Sequence, residues 1–396
     1  MTQHQTVKFG DVVRQVKDKV DPQTAGLERY VAGEHMDTDN LHIRRWGDVG
    51  DGYLGPAFHM RFKPGQVLYG SRRTYLRKVA VAEFEGITAN TTYVIEPRDP
   101  DVLLPDFLPF VMSTERFHEH SIQQSKGSVN PYINFSDIAW YEFPLPPVDE
   151  QRRIADLLWA ADDAIEAKRE AIEKLKNVKI SAIHEKMRLN PNSQGNLPEK
   201  WKMQKLGEYL PDGTMRNGLY KSNSAYGAGT KIIRIDSFQN GQPIEKELLK
   251  RVKISENESK TYAVTENDIL VNRVNSLSHL GKTTIVPELD EETVFESNMM
   301  CLRLIPENGL LPRYAWYLIS SDLGRQQLLQ RAKKAIAQSS VNQNDVRSLT
   351  FPIPQISEQK NILNMIAEIE IAIDLAVDNL NKTVFLQHEL RETNIG

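Results

Sequence analysis

FPLPPVDEQRRIADLL, Phe143 to Leu158, returns as FPIPQISEQKNILNMI, Phe351 to Ile366. Phe, Pro, Pro, Glu and Gln coincide at Phe143/Phe351, Pro144/Pro352, Pro146/Pro354, Glu150/Glu358 and Gln151/Gln359, always 208 positions apart. A fixed offset of that size makes the chain a tandem of two similar halves, not one continuous domain. Upstream, Ile133, Asn134, Asp137 and Ile138 meet Val341, Asn342, Asp345 and Val346 at the same offset, as Asn90 and Val94 meet Asn298 and Leu302. Earlier still the offset drifts, but the order of signals persists: KFG from Lys8 against KLG from Lys205, IRR from Ile43 against IRI from Ile233, QVLY from Gln66 against DILV from Asp268. Each half is a variable block of roughly 140 to 155 residues, enough to bury its own core, followed by a more regular tail. The aligned Asn134 and Asn342 point to a structural turn in both halves.

The tails are expected to be helices. Proline at the lead-in cannot continue a strand or a helix. Beyond it, apolar or small residues recur at Ile154, Leu158, Ala161, Ile165, Ile172 and Leu175, with Lys168 the one break, and again at Ile362, Ile366, Ile369, Ile373, Ala376 and Leu380. Steps of four and three are a heptad seam. Asp149 and Ser357 stand where an N-cap belongs. A helix of about 35 residues spans roughly 50 Å, more than one block needs, so each seam requires a partner, and the other tail is the nearest candidate.

One cysteine, Cys301, excludes an internal disulfide and a Cys-rich zinc site. No apolar run approaches a membrane span, and MTQHQTVKFG has no signal-peptide core, so a cytoplasmic protein with no membrane association is expected. The net charge of −4 conceals a regional split. Gly52 to Ala82 has no acid, yet holds Arg61, Lys63, Arg72, Arg73, Arg77 and Lys78 interleaved with Tyr53, Tyr69 and Tyr75. Arg325 to Asn344 has Arg325, Arg331, Lys333 and Lys334 with a single amide-rich acid-free context, whereas the second tail carries Glu358, Glu368, Glu370, Asp374 and Asp378. Basic blocks with acidic connectors suggest that the blocks meet phosphate and the helices do not.

Catalytic and metal signals dissolve. Asn130-Pro131-Tyr132 lacks the second proline of an amino-methyltransferase loop, and no Gly-rich cofactor loop precedes it. Gly281-Lys282-Thr283 imitates the end of a P-loop, but Ser276 stands where its first glycine belongs. Gly227-Ala228-Gly229 lacks the third glycine of a dinucleotide loop. His118 and His120 are expected on a solvated strand or turn, not in a metal site.

Two variable blocks, each closed by a PLPP-x-x-EQ-like lead-in to a long helix, resemble the specificity subunit of a type I restriction-modification system. The likeness covers the whole chain, and LPEKW at Leu197 to Trp201 resembles the usual opening of such a domain. The second tail departs in reading PIPQ, and the first domain lacks the opening Trp. The resemblance implies an α+β protein with a pseudo-two-fold internal repeat: two similar mixed α/β target-recognition domains, 1–143 and 196–351, and two conserved helical regions, 144–195 and 352–396, pairing as an antiparallel coiled coil. It also implies a non-catalytic reader of a bipartite double-stranded DNA target that docks two methyltransferase subunits, with S-adenosylmethionine there, and motor-nuclease restriction subunits using ATP with Mg. No cofactor or metal is expected on this chain.

Arg to guanine and Asn or Gln to adenine are the usual base readers. The loops after QVLY and DILV are therefore the first candidates: Tyr69, Arg72, Arg73 and Tyr75, with Asn272, Arg273 and Asn275. The polar loops before the Pro-rich lead-ins come second: Lys126, Ser128, Asn130 and Tyr132, with Ser339, Ser340, Asn342 and Gln343. Arg44, Arg45, Arg234 and Lys282 are expected on phosphates. Two rival readings are the recognition portion of a fused restriction-methylation enzyme and a coiled-coil interaction protein with no DNA role. The lack of methylase or nuclease motifs opposes the first, and the acid-free basic segments oppose the second.

Overall fold

The computed structural model describes residues 5–52, 54–189, 197–334 and 338–396. Tyr53 and the expected boundary at 195/196 lie outside the described residues. The chain forms two compact units, residues 1–170 with 376–396, and residues 171–375.

In the first unit the strand Gln5–Lys8 pairs antiparallel with Glu142–Leu145, which leads into the helix Val148–Lys186. In the second unit Lys202–Lys205 pairs in the same way with Thr350–Ile353, ahead of the helix Ile356–Asn394. Pro144 and Pro352 lie inside these strands, which corrects the expectation that proline there ends a strand: each is in a two-stranded pair, where an edge position tolerates the missing N–H. KFG and KLG form these joints. Phe9 N–H donates to the Tyr141 carbonyl at 2.7 Å, and Leu206 N–H to the Leu349 carbonyl at 2.8 Å. A Cβ on Gly10 would stand 2.6 Å from Ala139 Cβ, too close for a side chain, and one on Gly207 would be tight at 3.0 Å from Arg347 Cβ, so the close approach favours glycine at both.

Each unit holds a four-stranded antiparallel sheet in one common order: Val13–Val16, Thr92–Pro97, Val67–Gly70, Val79–Val81 in the first, and Met215–Asn217, Met299–Leu302, Ile269–Asn272, Thr283–Ile285 in the second. QVLY and DILV supply the same inner strand. Its side chains alternate between two cores: Val67 and Tyr69 pack with Phe110 and Phe117, while Leu68 packs with Phe62 and Val94. Likewise Ile269 and Val271 face Trp316, and Leu270 faces Phe238 and Phe295. Cover on both faces explains why these strands read as unbroken apolar runs.

A second sheet in each unit contains one parallel pair, Tyr30 opposite Ile87 and Ile232 opposite Val294. Arg29–Val31 therefore corresponds to the end of Tyr226–Ile233. The expected match of IRR at Ile43 with IRI at Ile233 is thus corrected: Ile43 to Arg45 have no regular structure, and Ile233 ends a strand.

The EQ motif has a packing cause. Gln151 is fully buried; its Oε1 accepts from Leu104 N–H at 2.9 Å, and its Nε2 donates to the carbonyls of Val102 (2.9 Å) and Pro146 (2.8 Å). Gln359 repeats this with Leu311 N–H (2.9 Å), Gly309 O (2.8 Å) and Pro354 O (2.9 Å). One amide per unit pins the first helical turn to its domain. Asp149 and Ser357 lie inside that turn and do not cap it, because the helices already start at Val148 and Ile356. The Pro147 carbonyl instead accepts from the N–H groups of Glu150 and Gln151, both at 2.9 Å.

The two 39-residue helices pair antiparallel within each unit. In the first, Leu390 and Ile395 enter the core that holds Ile154, Ala155 and Leu158. In the second, Ile183 shares a core with Ile362 and Ile366. Ile154, Leu158, Ile165, Ile172, Ile362 and Ile366 are buried, and Ala161, Leu175, Ile369, Ile373, Ala376 and Leu380 half-buried.

Beside the seam lies a polar clamp that obeys the 208-residue repeat. Asp162 takes His42 Nε2 at 2.6 Å and Gln387 Nε2 at 3.3 Å. Glu370, its counterpart, takes Tyr317 Oη at 2.8 Å and Lys179 Nζ at 2.7 Å, as well as the Arg313 guanidinium. Gln387 and Lys179 are themselves repeat partners. The hydrogen bond to Asp162 raises His42 to about 9 against the opposing effect of burial, with Glu83 at 2.9 Å adding to it.

His118 and His120 lie on the helix Glu115–Gln123, not on a solvated strand or turn. His118 is 3% exposed, and burial lowers its pKa to about 3. His120 Nε2 is 2.9 Å from the Asp137 carbonyl oxygen.

Candidate nucleic-acid interface

The structure brings the two classes of candidate loop together in each unit. In the first, the hairpin between Val67–Gly70 and Val79–Val81 is stitched to the loop before the last strand: Arg73 N–H donates to Pro131 O at 2.6 Å, Ile133 N–H to Ser71 O at 3.0 Å, and Thr74 and Ser125 hydroxyls meet at 2.7 Å. Lys126 and Tyr132 exchange both backbone hydrogen bonds, at 2.8 and 2.9 Å, closing that loop on itself. Arg72, Arg73, Tyr75, Ser128, Asn130 and Tyr132 are thereby exposed together.

Charge on this surface is concentrated. The Arg72 guanidinium lies 5.1 Å from the Tyr132 ring, and among the described residues no carboxylate pairs with Arg72 or Arg73. Lys78 is held below its ordinary pKa, first by burial and then by the cations of Arg73 and Arg45. Two other cations of the acid-free segment, Arg77 and Arg61, are occupied by acids folded in from elsewhere. Arg77 meets Asp39 at 2.8 Å and Glu115 at 2.5 Å, and Arg61 meets Glu85 at 2.5 Å. Lys126 is paired with Asp137 at 2.8 Å.

Several expected contacts are corrected by burial or pairing. Tyr69 is 1% exposed and is core, because its strand alternates inward at that residue. Asn272 is fully buried, with Nδ2 on His279 O at 3.2 Å. Lys282 turns inward to Ile235 O at 2.9 Å, 5.3 Å from the Phe238 ring, and burial lowers its pKa. Arg44 is paired with Glu166 and Arg45 with Asp37, and Arg234 with Glu296 at 3.3 Å, so none of the three presents an uncompensated charge to phosphate.

In the second unit Val274–Asn275 pairs with Ser339–Ser340, and Val341 N–H donates to Arg273 O at 3.0 Å, the same stitch as in the first. Arg273 is half-buried, with Nη1 on Ser297 O at 3.2 Å. Ser339 is 3% exposed, whereas Asn275 and Ser340 are half-buried. Asn342 caps the helix Gln343–Arg347, accepting from Asp345 N–H at 3.1 Å, so it holds a structural turn. Its counterpart Asn134 precedes the helix Phe135–Ile138. Gln343 is the half-buried first residue of its helix.

Sequence reasoning missed the turn Ser276, Leu277, Ser278 and His279 at this hairpin tip, all exposed, with Ser276 Oγ and Ser278 Oγ at 3.0 and 2.9 Å from His279 Nδ1. It also missed Val129, 85% exposed in the loop before the last strand of the first unit. The mismatch between a tight strand pairing and a loop of small polar residues was the available signal. Arg325 and Arg331 of the second basic run are spent on Ser278 O and on Ser348 Oγ (2.7 Å), leaving Lys333 and Lys334 exposed.

Two equivalent cationic or polar loop surfaces on a repeated α/β scaffold define a tandem repeat protein. The family described as the type I restriction modification DNA specificity domain matches residues 43–177 and 198–384, and the chain belongs to that family. The StySPI type I restriction enzyme specificity subunit of Salmonella potsdam is 25% identical over 305 residues, covering 75% of this chain and 65% of that subunit. The MjaIX specificity subunit of Methanocaldococcus jannaschii is 23% identical over 255 residues, 60% of this chain and 58% of that one. The matched stretches thus span less than two thirds of these relatives. A chain solved in work on assembly and conformational transition of a type I restriction-modification system superposes with a TM-score of 0.62 at 16% identity, covering 100% of this chain and 98% of that one. The specificity subunit from M. genitalium superposes at 0.54 with 12% identity, covering 100% and 97%. Among the described residues, no helix is long and apolar enough to cross a membrane.

Proposed function

We propose that this chain is the DNA-reading subunit of a type I restriction-modification complex, non-catalytic in itself, with each unit reading one half of a bipartite duplex target. The observation that carries the reading is the duplicated stitch of hairpin tip to final loop, which presents Arg72, Arg73, Tyr75 and Tyr132 in one unit and Asn275, the 276–279 turn and Ser340 in the other. The division into recognition domains 1–143 and 196–351, with helical regions 144–195 and 352–396, belongs to the same reading. The paired helices then dock two methyltransferase subunits, which bind S-adenosylmethionine, and restriction subunits supply ATP- and Mg-dependent translocation and cutting. Such a complex works where the DNA is, in the cytoplasm.

Co-expression with the methyltransferase subunit of a type I restriction-modification system, followed by DNA retention and methylation mapping, tests the proposal. A split motif methylated only when this chain is present is the expected result. Methyl transfer or cleavage by the highly purified chain alone would overturn it, and so would a complex that binds all duplexes equally.

A further inference from the structure

The backbone hydrogen bonds of the two hairpins identify equivalent residues, in the register that the QVLY/DILV match sets. Gly70 N–H donates to Lys78 O at 3.0 Å, and Asn272 N–H to Lys282 O at 2.8 Å. One residue further, Ser71 donates to Thr91 O and accepts from Ile133 N–H, each at 3.0 Å. Arg273 donates to Asn298 O at 2.8 Å and accepts from Val341 N–H at 3.0 Å. Ile133 and Val341 are partners across the repeat, so Ser71 corresponds to Arg273. It follows that Arg72 corresponds to Val274 and Arg73 to Asn275. Two positions beyond, Tyr75 and Leu277 are the exposed apolar tips, at 52% and 43%.

We propose that Arg73 and Asn275 are the residues that set the base accepted by each domain, Arg73 a guanine and Asn275 an adenine, with Tyr75 and Leu277 as the apolar contacts beside them. The inference rests on the DNA-reading function proposed above. Arg73 is held in the left-handed region, φ 49° and ψ 58°, with its N–H fixed on Pro131 O, so two anchored loops dictate where its side chain leaves the backbone. Its guanidinium has no carboxylate partner among the described residues, whereas Arg77, four residues on, is clamped by Asp39 and Glu115. A free guanidinium offers the parallel N–H pair that matches guanine O6 and N7.

Asn275 is held by strand pairing with Ser339. Its Oδ1 accepts from Ser276 N–H at 2.8 Å, which leaves one lone pair on the oxygen as well as both amide hydrogens. That acceptor and donor set matches adenine N6 and N7. Arg273 sits two residues back along the chain, half-buried with Nη1 on Ser297 O, and positions the hairpin instead of reading through it. An apolar tip beside each reader suits a thymine methyl or a base face.

The test uses the assembled complex with its methyltransferase subunits and a panel of duplexes varied one base pair at a time in each half-site. Arg73→Gln should lower discrimination at one base pair of one half-site by about 10- to 100-fold and leave the other half-site unchanged. Asn275→Asp, which keeps the acceptor and removes the donor, should do the same at one base pair of the other half-site, and Asn275→Arg should move its preference toward G·C. Retained preference at the unaltered half-site certifies folding within the same sample. Base preferences left intact would overturn the assignment, as would equal weakening on every duplex with a shallower salt dependence, the mark of a phosphate contact. A wild-type complex with no preference among duplexes would instead sink the DNA-reading function itself.

Discussion

Gln151 and Gln359 show how much one buried amide carries when all its polar atoms are used. Replacing Gln151 with Ala leaves Leu104 N–H and two carbonyls without partners in a closed site, a loss of about 2 to 4 kcal/mol. Urea unfolding of Gln151→Ala and Gln359→Ala should show losses of similar size, one for each unit; a change under about 0.5 kcal/mol would mean that water replaces the amide. His42 gives a pH signature. Its folded-state value of about 9 lies above the ordinary 6.5, so the proton it holds against Asp162 and Glu83 stabilises the fold fully below pH 6.5, and that contribution is lost as pH rises through about 9. The difference in Tm between wild type and His42→Gln should therefore be largest near pH 6 and shrink toward pH 9.5. A gap that widened with pH would contradict the clamp.

At the scale of elements, the two helices are joined by seam residues and by the clamps at Asp162 and Glu370, in matching antiparallel register. Inserting one heptad after Leu175 keeps the seam in phase and lengthens the helix by about 10 Å, close to three base pairs of duplex rise. We expect a longer unread spacer between unchanged half-sites, or loss of binding if the duplex cannot rotate to follow. Methylation mapping reads the outcome, and an unchanged spacer with unchanged affinity would show that the helices do not set it. The hairpins behave differently from the helices. Their strands repeat faithfully, while the loops differ in length, eight residues from Ser71 to Lys78 giving way to ten from Arg273 to Lys282, with Ser276 and Ser278 among them. Surface loops tolerate such change because little packing depends on them.

For the whole molecule, duplication implies modular specificity. Exchanging residues 1–143 for the corresponding domain of a relative should rewrite one half of the recognised sequence and leave the other as it was. Mapping that found both halves changed would refute independent reading. Each unit has its own cores and its own sheet pair, so the exchange leaves the second domain's packing intact.

The tandem repeat, the long heptad helices and the recurrence of the EQ motif were legible in the sequence because they are periodic, and periodicity survives without knowledge of neighbours; that Gln151 and Gln359 are buried was decided by the tertiary structure. Membership of the specificity family was legible for the same reason. Which candidate readers reach solvent was not. Tyr69, Asn272 and Lys282 look like any other polar or aromatic residue near a loop, yet each points inward, because the layer covering a strand face comes from segments far away in the chain. Arg44 finds Glu166 across 122 positions, and Arg77 finds Glu115 across 38, so an acid-free stretch of sequence became only partly an acid-free surface. The correspondence of Ser71 with Arg273, and so of Arg73 with Asn275, follows from carrying the QVLY/DILV match forward, and the tertiary hydrogen bonds agree with it; what only the tertiary structure decided is that both hairpins are tied to the final loop by the same backbone bond, Ile133 N–H to Ser71 O and Val341 N–H to Arg273 O.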